Sequence, residues 1–179
     1  MKRPDVAKSK IVVHDDRGIK VVKSLTIRRP AQELYEFWRD LSNLPRIIHH
    51  PVRIAPITDI ESHWEVSAPG GEPVQWDALI INDEPGRLIA WRSREGDQVP
   101  NAGSVRFEPS RDGLGTEVTV KLDYDPPGGR LGALIASFTR DAASQQVGDA
   151  LKRFKELAES GQLGSDGNGR SFDRTDMTI

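Results

Sequence analysis

The sequence predicts an α+β domain: a curved antiparallel sheet wrapped on one long C-terminal helix, with two short helices after the first strand. Three observations predict it. From Val52 to Tyr124 the chain is a run of short alternating segments joined by turn residues. From about Leu131 to Glu159 the apolar residues fall at helical spacing instead. A block of strands followed by a helix argues α+β rather than a parallel α/β sheet.

The elements follow in order. Leu25 and Ile27 alternate with Ser24, Thr26 and Arg28, which predicts a first strand near Ile19 to Arg28. Arg29-Pro30 ends it, and Pro30 suits the first turn of a helix, where its missing N–H is not needed. Leu34, Phe37, Trp38 and Leu41 then recur at steps of three and four. Asp40 and Ser42-Asn43 predict a break and a second short helix, with Pro45 near its first turn.

Val52 and Ile54 mark the next strand, and Pro56 places it at an edge or a bulge. Asp59 to Ser62 read as a turn. Trp64 and Val66 alternate with His63 and Glu65; Val74, Trp76, Ala78 and Ile80 alternate with Gln75 and Asp77. Asp83-Glu84-Pro85-Gly86 is a turn in which Pro presets φ and Gly accepts a positive one. Ile89 and Trp91, then Gly103, Val105 and Phe107, then Val118, Val120, Leu122 and Tyr124 complete the strands, with a hairpin loop over Arg111 to Gly115. In the helix, Leu131, Ile135, Phe138, Ala142, Val147, Leu151, Phe154 and Leu157 or Ala158 form the apolar stripe. Its period slips near Thr139-Arg140-Asp141, where Asp141 could cap a second segment.

Composition bounds the function. A chain of 179 residues suits one domain with a real core. Residues 18–160 are expected to fold, with 1–17 a flexible arm and the Gly-, Ser- and Asp-rich 161–179 a disordered tail. A net charge of −2 gives no electrostatic footprint for nucleic acid. No apolar run reaches the roughly 18 residues of a membrane span, so no integral membrane association is expected. The charged N-terminus lacks the apolar stretch of a secretory signal, which favours the cytoplasm. The absence of cysteine excludes disulfides and thiol chemistry. No three His ligands share a readable spacing, so no metal is expected, and no phosphate loop or dinucleotide fingerprint implies a cofactor.

Several passages in order carry a resemblance: Ser24-Leu25-Thr26-Ile27-Arg28-Arg29-Pro30, then Leu34-Tyr35-Glu36-Phe37-Trp38 and Leu41-Ser42-Asn43-Leu44-Pro45. Trp76-Asp77-Ala78, Asp83 to Ser93, Gly103 to Phe107 and Tyr124 to Gly129 continue it. Together they resemble the polyketide cyclase/dehydrase branch of the START-like (SRPBCC, helix-grip) superfamily. That resemblance implies a bent seven-stranded antiparallel sheet gripping the C-terminal helix around an apolar cavity. Members bind lipids or hormones, cyclise polyketides or act as protein partners, so function has to be argued from the site.

Strand parity puts Trp64, Trp76, Trp91, Val105, Phe107, Val120 and Tyr124 on one inner face. With Ile135, Phe138 and Val147 from the helix they are the candidate ligand wall; the competing reading is a filled core. The same parity sends His63, Asp77, Arg92 and Arg106 outward. His49 and His50 follow the second short helix, where the fold places a cavity mouth. One of them could serve as a general base, although a solvated loop pair is the simpler reading. The Tyr124 phenol could donate to a ligand carbonyl or satisfy a backbone acceptor, and Gln145 or Gln146 could add an amide. The catalytic set is therefore unknown, with His49, His50 and Tyr124 as candidates. The leading expectation is a domain that binds a small apolar or amphipathic molecule, lipid-like or aromatic, between sheet and helix. A cyclase/dehydratase-type enzyme and a protein-interaction scaffold are the alternatives.

Overall fold

The computed structural model describes residues 18–49, 52–67, 72–97, 99–125 and 140–164. Seven strands form one antiparallel sheet: β1 (Ile19–Ile27), β2 (Val52–Pro56), β3 (Glu61–Val66), β4 (Val74–Glu84), β5 (Leu88–Ser93), β6 (Asn101–Pro109) and β7 (Thr116–Tyr124). Their spatial order is β1-β7-β6-β5-β4-β3-β2, so the first strand closes back on the last. β2 lies at an edge, where Pro56 breaks no central ladder. Helix α1 (Ala31–Arg39), a 3-10 helix (Leu41–Arg46) and helix α2 (Arg140–Glu159) complete the described fold. This is the sheet-on-helix layout that the sequence predicts.

Local chemistry accounts for the breaks. Pro30 is extended (φ −60°, ψ 142°) and stands one residue outside α1, as its cap rather than within its first turn. The Asp40 carboxylate accepts from the Ser42 N–H at 3.1 Å and from its hydroxyl at 2.6 Å, which restarts the chain as a 3-10 helix. Glu61 and Ser62, expected in a turn, begin β3. Asp83 and Glu84, also expected in a turn, end β4; the turn itself is Pro85–Arg87, with Gly86 at φ 71°. β4 extends so far because it contains a bulge. Ile80 pairs with Trp91 and Asn82 with Ala90, leaving one extra residue, Ile81, between them.

Helix α2 runs along β1. The Lys155 ammonium donates to the Thr26 carbonyl at 2.9 Å, and the Glu159 carboxylate accepts from the Arg28 N–H at 2.9 Å. Its inward stripe is Ala143, Val147, Leu151, Phe154 and Ala158, so Ala143 takes the place expected of Ala142. The helix ends in a left-handed Gly161 (φ 78°), with Gly161 N–H to Ala158 O at 3.2 Å and Gln162 N–H to Leu157 O at 2.9 Å. The Arg46 guanidinium then donates to the carbonyls of Leu163 (3.1 Å) and Gln162 (2.5 Å) and sits over the Phe37 ring at 5.4 Å. The chain thus stays folded to Gly164, past the expected boundary at Ser160, because Leu163 packs on the core. The Leu131–Thr139 part of the expected helix lies outside the described residues.

The core fills the space between α1, α2 and the β5-β6-β7-β1 side of the sheet. Phe154 stacks on Phe37 (4.9 Å, 30°) and meets Trp38 edge-on (6.0 Å, 81°). Around them Ile27, Leu34, Val105 and Val118 are completely buried.

Candidate ligand-binding face

Register turns the parity argument into positions. Trp64 pairs with Trp76, Ala78 with both Ser62 and Ser93, and Ile80 with Trp91, so all seven side chains share one face. Trp91 pairs onward with Gly103, Gly103 with Leu122 and Leu122 with Val21, which identifies this as the face that α2 covers. His63, Asp77, Arg92 and Arg106 point the other way. On that outer face the His63 Nδ1 and Asp77 Oδ1 are 2.7 Å apart, and Arg94 pairs with Glu61. Outward parity therefore removes His63 from the interior.

Three tryptophans give the inner face its character. Trp64 and Trp76 stack across β3 and β4 with centroids 5.8 Å apart and planes within 15°. The Trp64 indole donates to the Ser62 hydroxyl at 2.9 Å, so its polar edge is satisfied within β3 and its ring face is left for packing. Trp91 lies over Gly103: a Cβ there would stand 2.4 Å from Trp91 Cζ2 and 2.8 Å from the Lys121 carbonyl oxygen. Glycine at this point lets a six-carbon ring lie flat on the neighbouring strand. All three tryptophans are only half-buried, although they sit on the inner side of the sheet.

The other expected wall residues divide into groups. Val105 (0 % exposed), Phe107 (2 %) and Val120 (5 %) share the face but are enclosed by the core under α1 and α2. Val147 is half-buried and touches both apolar clusters of the molecule. Tyr124 (6 % exposed) packs with Val21 and Ala143 beside α2, and burial pushes its phenol above the ordinary value. Such a group keeps its proton near neutral pH, which suits a hydrogen-bond donor and not a base. His49 is exposed, with its Nε2 against the Arg153 Nη2 on α2. Gln145 is exposed and Gln146 half-buried. His50, Ile135 and Phe138 lie outside the described residues.

Sequence reasoning missed two features. The bulge reverses inward parity after Ile80, so Asp83 pairs with Ile89 and faces α1. There its carboxylate accepts from the Tyr35 hydroxyl at 2.6 Å and from Arg39 Nε at 2.7 Å. Burial first, then the Asp83 bond, pushes the Tyr35 phenol up to about 12. Pro85-Gly86 after Asp83 signals a turn and hides the strand; nothing in the alternation signals an extra residue. The second feature is Trp38, whose indole nitrogen is buried without a partner among the described residues. Its helical spacing beside Phe37 marks it only as apolar. Among the described residues no group of three or more acidic or histidine side chains could hold a metal ion, and no helix is long and apolar enough to cross a membrane.

A family model described as polyketide cyclase/dehydrase and lipid transport matches residues 27–152. No curated protein matches the chain. Among solved structures it is similar to DR_A0006 from Deinococcus radiodurans, at 40 % identity, TM-score 0.66, and coverage of 79 % of this chain and 98 % of that one. TTHA0849 from Thermus thermophilus matches at 20 % identity and TM-score 0.60, over 79 % of this chain and 98 % of that one. The di-domain ARO/CYC StfQ from the steffimycin biosynthetic pathway matches at 15 % identity and TM-score 0.57, over 82 % of this chain and 52 % of that one. The last two likenesses are of fold alone.

Proposed function

Since the chain belongs to the polyketide cyclase/dehydrase and lipid transport family, we propose that it binds a small apolar or amphipathic molecule, lipid-like or aromatic, between the sheet and α2. One observation carries the reading: Trp64, Trp76 and Trp91 share the inner face and remain half-buried while the aliphatic residues beyond them are fully packed. A large apolar ring left partly uncovered forgoes about 25 cal/mol for each Å² it could bury. A flat or chain-like ligand laid against the stacked pair recovers that burial. Aromatic ligands gain a further ~0.5–1.5 kcal/mol per ring contact.

Binding is favoured over catalysis because of what surrounds that face. Acid–base chemistry near neutral pH needs a group whose proton moves there. Tyr124 is shifted away from that range and His49 sits at the exterior. The test is an intrinsic-fluorescence titration with fatty acids and with multi-ring aromatic polyketides. The expected result is a saturable change in tryptophan emission with one of these classes, weakened about tenfold in Trp76→Leu. No emission change with either class, in protein whose denaturation is cooperative, overturns the proposal.

A further inference from the structure

We propose that the groove between β1 and α2 holds the carboxylate headgroup of an anionic amphipath whose tail enters the space beside α2. The groove encloses about 260 Å³, and its walls come from β1 on one side and α2 on the other. Its floor is apolar: Leu25 is half-buried, and Leu151 belongs to the core itself. Its rim carries two lysines, Lys23 from the strand and Lys152 from the helix.

Lys23 is the informative one. It pairs with Val120, which pairs with Val105, which pairs with Ile89, so it stands on the inward row where its three neighbours are buried aliphatics. It is half-buried and forms no ion pair or hydrogen bond among the described residues. A lysine stem can cover apolar surface while its ammonium stays at the rim, where an anion can meet it. Across the groove Lys152 has one acid, Asp149, at 3.6 Å. Among the described rim residues these three charges sum to one positive charge, which matches a single carboxylate.

Space is provided by Gly148, where a Cβ would meet nothing within 4 Å. The volume is below that of a typical whole-ligand pocket, roughly 300–1,000 Å³, and suits a headgroup with the first few methylenes. Val147, beside Gly148, contacts both apolar clusters, so a tail leaving the groove past it stays on apolar surface.

This inference rests on the binding function proposed above, and its test separates the two. Decanoate, decanol and butanoate are titrated calorimetrically into the wild type and into Lys23→Gln, Lys152→Gln and Gly148→Leu. The last fills the groove with a better helix former, so it should fold. Decanoate is expected to bind about tenfold more tightly than decanol. That preference should vanish in Lys23→Gln and Gly148→Leu, and shrink in Lys152→Gln, with decanol affinity retained in both lysine variants. Equal affinity for decanoate and decanol in the wild type overturns the headgroup site and leaves the cavity reading standing. Binding of neither removes both. Butanoate binding as tightly as decanoate would make the groove a small-anion site and overturn the headgroup assignment.

Discussion

The two halves of the inner face are built from the same alternating pattern and end in opposite states. Under α1 and α2, Ile27, Val105 and Val118 are sealed. On β3, β4 and β5, Trp64, Trp76 and Trp91 are left half-covered. The difference lies in what meets each half: the first receives two helices carrying Leu34, Phe37, Leu151 and Phe154, while on the second Trp64 and Trp91 only flank that core and the rings lean on each other and on a glycine. An apolar inward face therefore supplies stability only where another element closes on it. Where none of the described elements closes fully, the rings stay half-covered.

Substitutions should separate the halves. Phe154→Ala removes the ring shared by Phe37 and Trp38 and should cost about 3–5 kcal/mol, read as a lower denaturant midpoint. Gly103→Val drives a side chain into Trp91 and the Lys121 carbonyl. It should cost ~1–3 kcal/mol and also change tryptophan emission, a combination that a purely structural glycine would not give. Asp83→Ala leaves the buried Tyr35 hydroxyl without its acceptor, at about 1–3 kcal/mol. Trp76→Leu should change stability by no more than ~1 kcal/mol while weakening ligand binding. A large loss of stability there would make the two halves alike and remove the contrast.

Alkaline pH sharpens the comparison from the packed side. An unfolded tyrosine titrates near 10, whereas Tyr35 in the fold titrates at about 12. The unfolded state thus loses this proton first. The contribution is fully present below about pH 10 and is lost as pH rises through about 12. Tyr35→Phe should flatten that stretch of the stability–pH curve, measured by urea denaturation at successive pH values.

Much of this was legible beforehand because the strands obey period two. Parity alone placed Trp64, Trp76 and Trp91 together inside and His63, Asp77, Arg92 and Arg106 outside, as the register shows. Asp40 announced a break, Pro56 an edge or a bulge, and Gly113 a hairpin; the structure resolves them as a cap, an edge and a tight loop. What parity could not supply was closure. Trp91 and Val105 look alike as inward residues, and only the helix packing distinguishes a half-covered ring from a sealed one. Nor could it supply contacts made across long stretches of chain, such as Arg46 with the carbonyls after α2 or His49 with Arg153. Those depend on where separate elements land.

The extra residue in β4 acts on this strand as a frameshift acts on a reading frame. Upstream, even-numbered residues face the interior and give a wall of Val74, Trp76, Ala78 and Ile80; downstream, the odd-numbered Asp83 does. One strand thereby presents the tryptophan face at one end and an anchor for α1 at the other. Deleting Ile81 would leave Asn82 opposite Ala90 and Asp83 opposite Ile89 in an unbroken alternation, so Asp83 would keep its place against Tyr35 and Arg39. The exposed isoleucine is thus a spacer that the pairing can lose without exchanging partners, and its side chain should be freely replaceable.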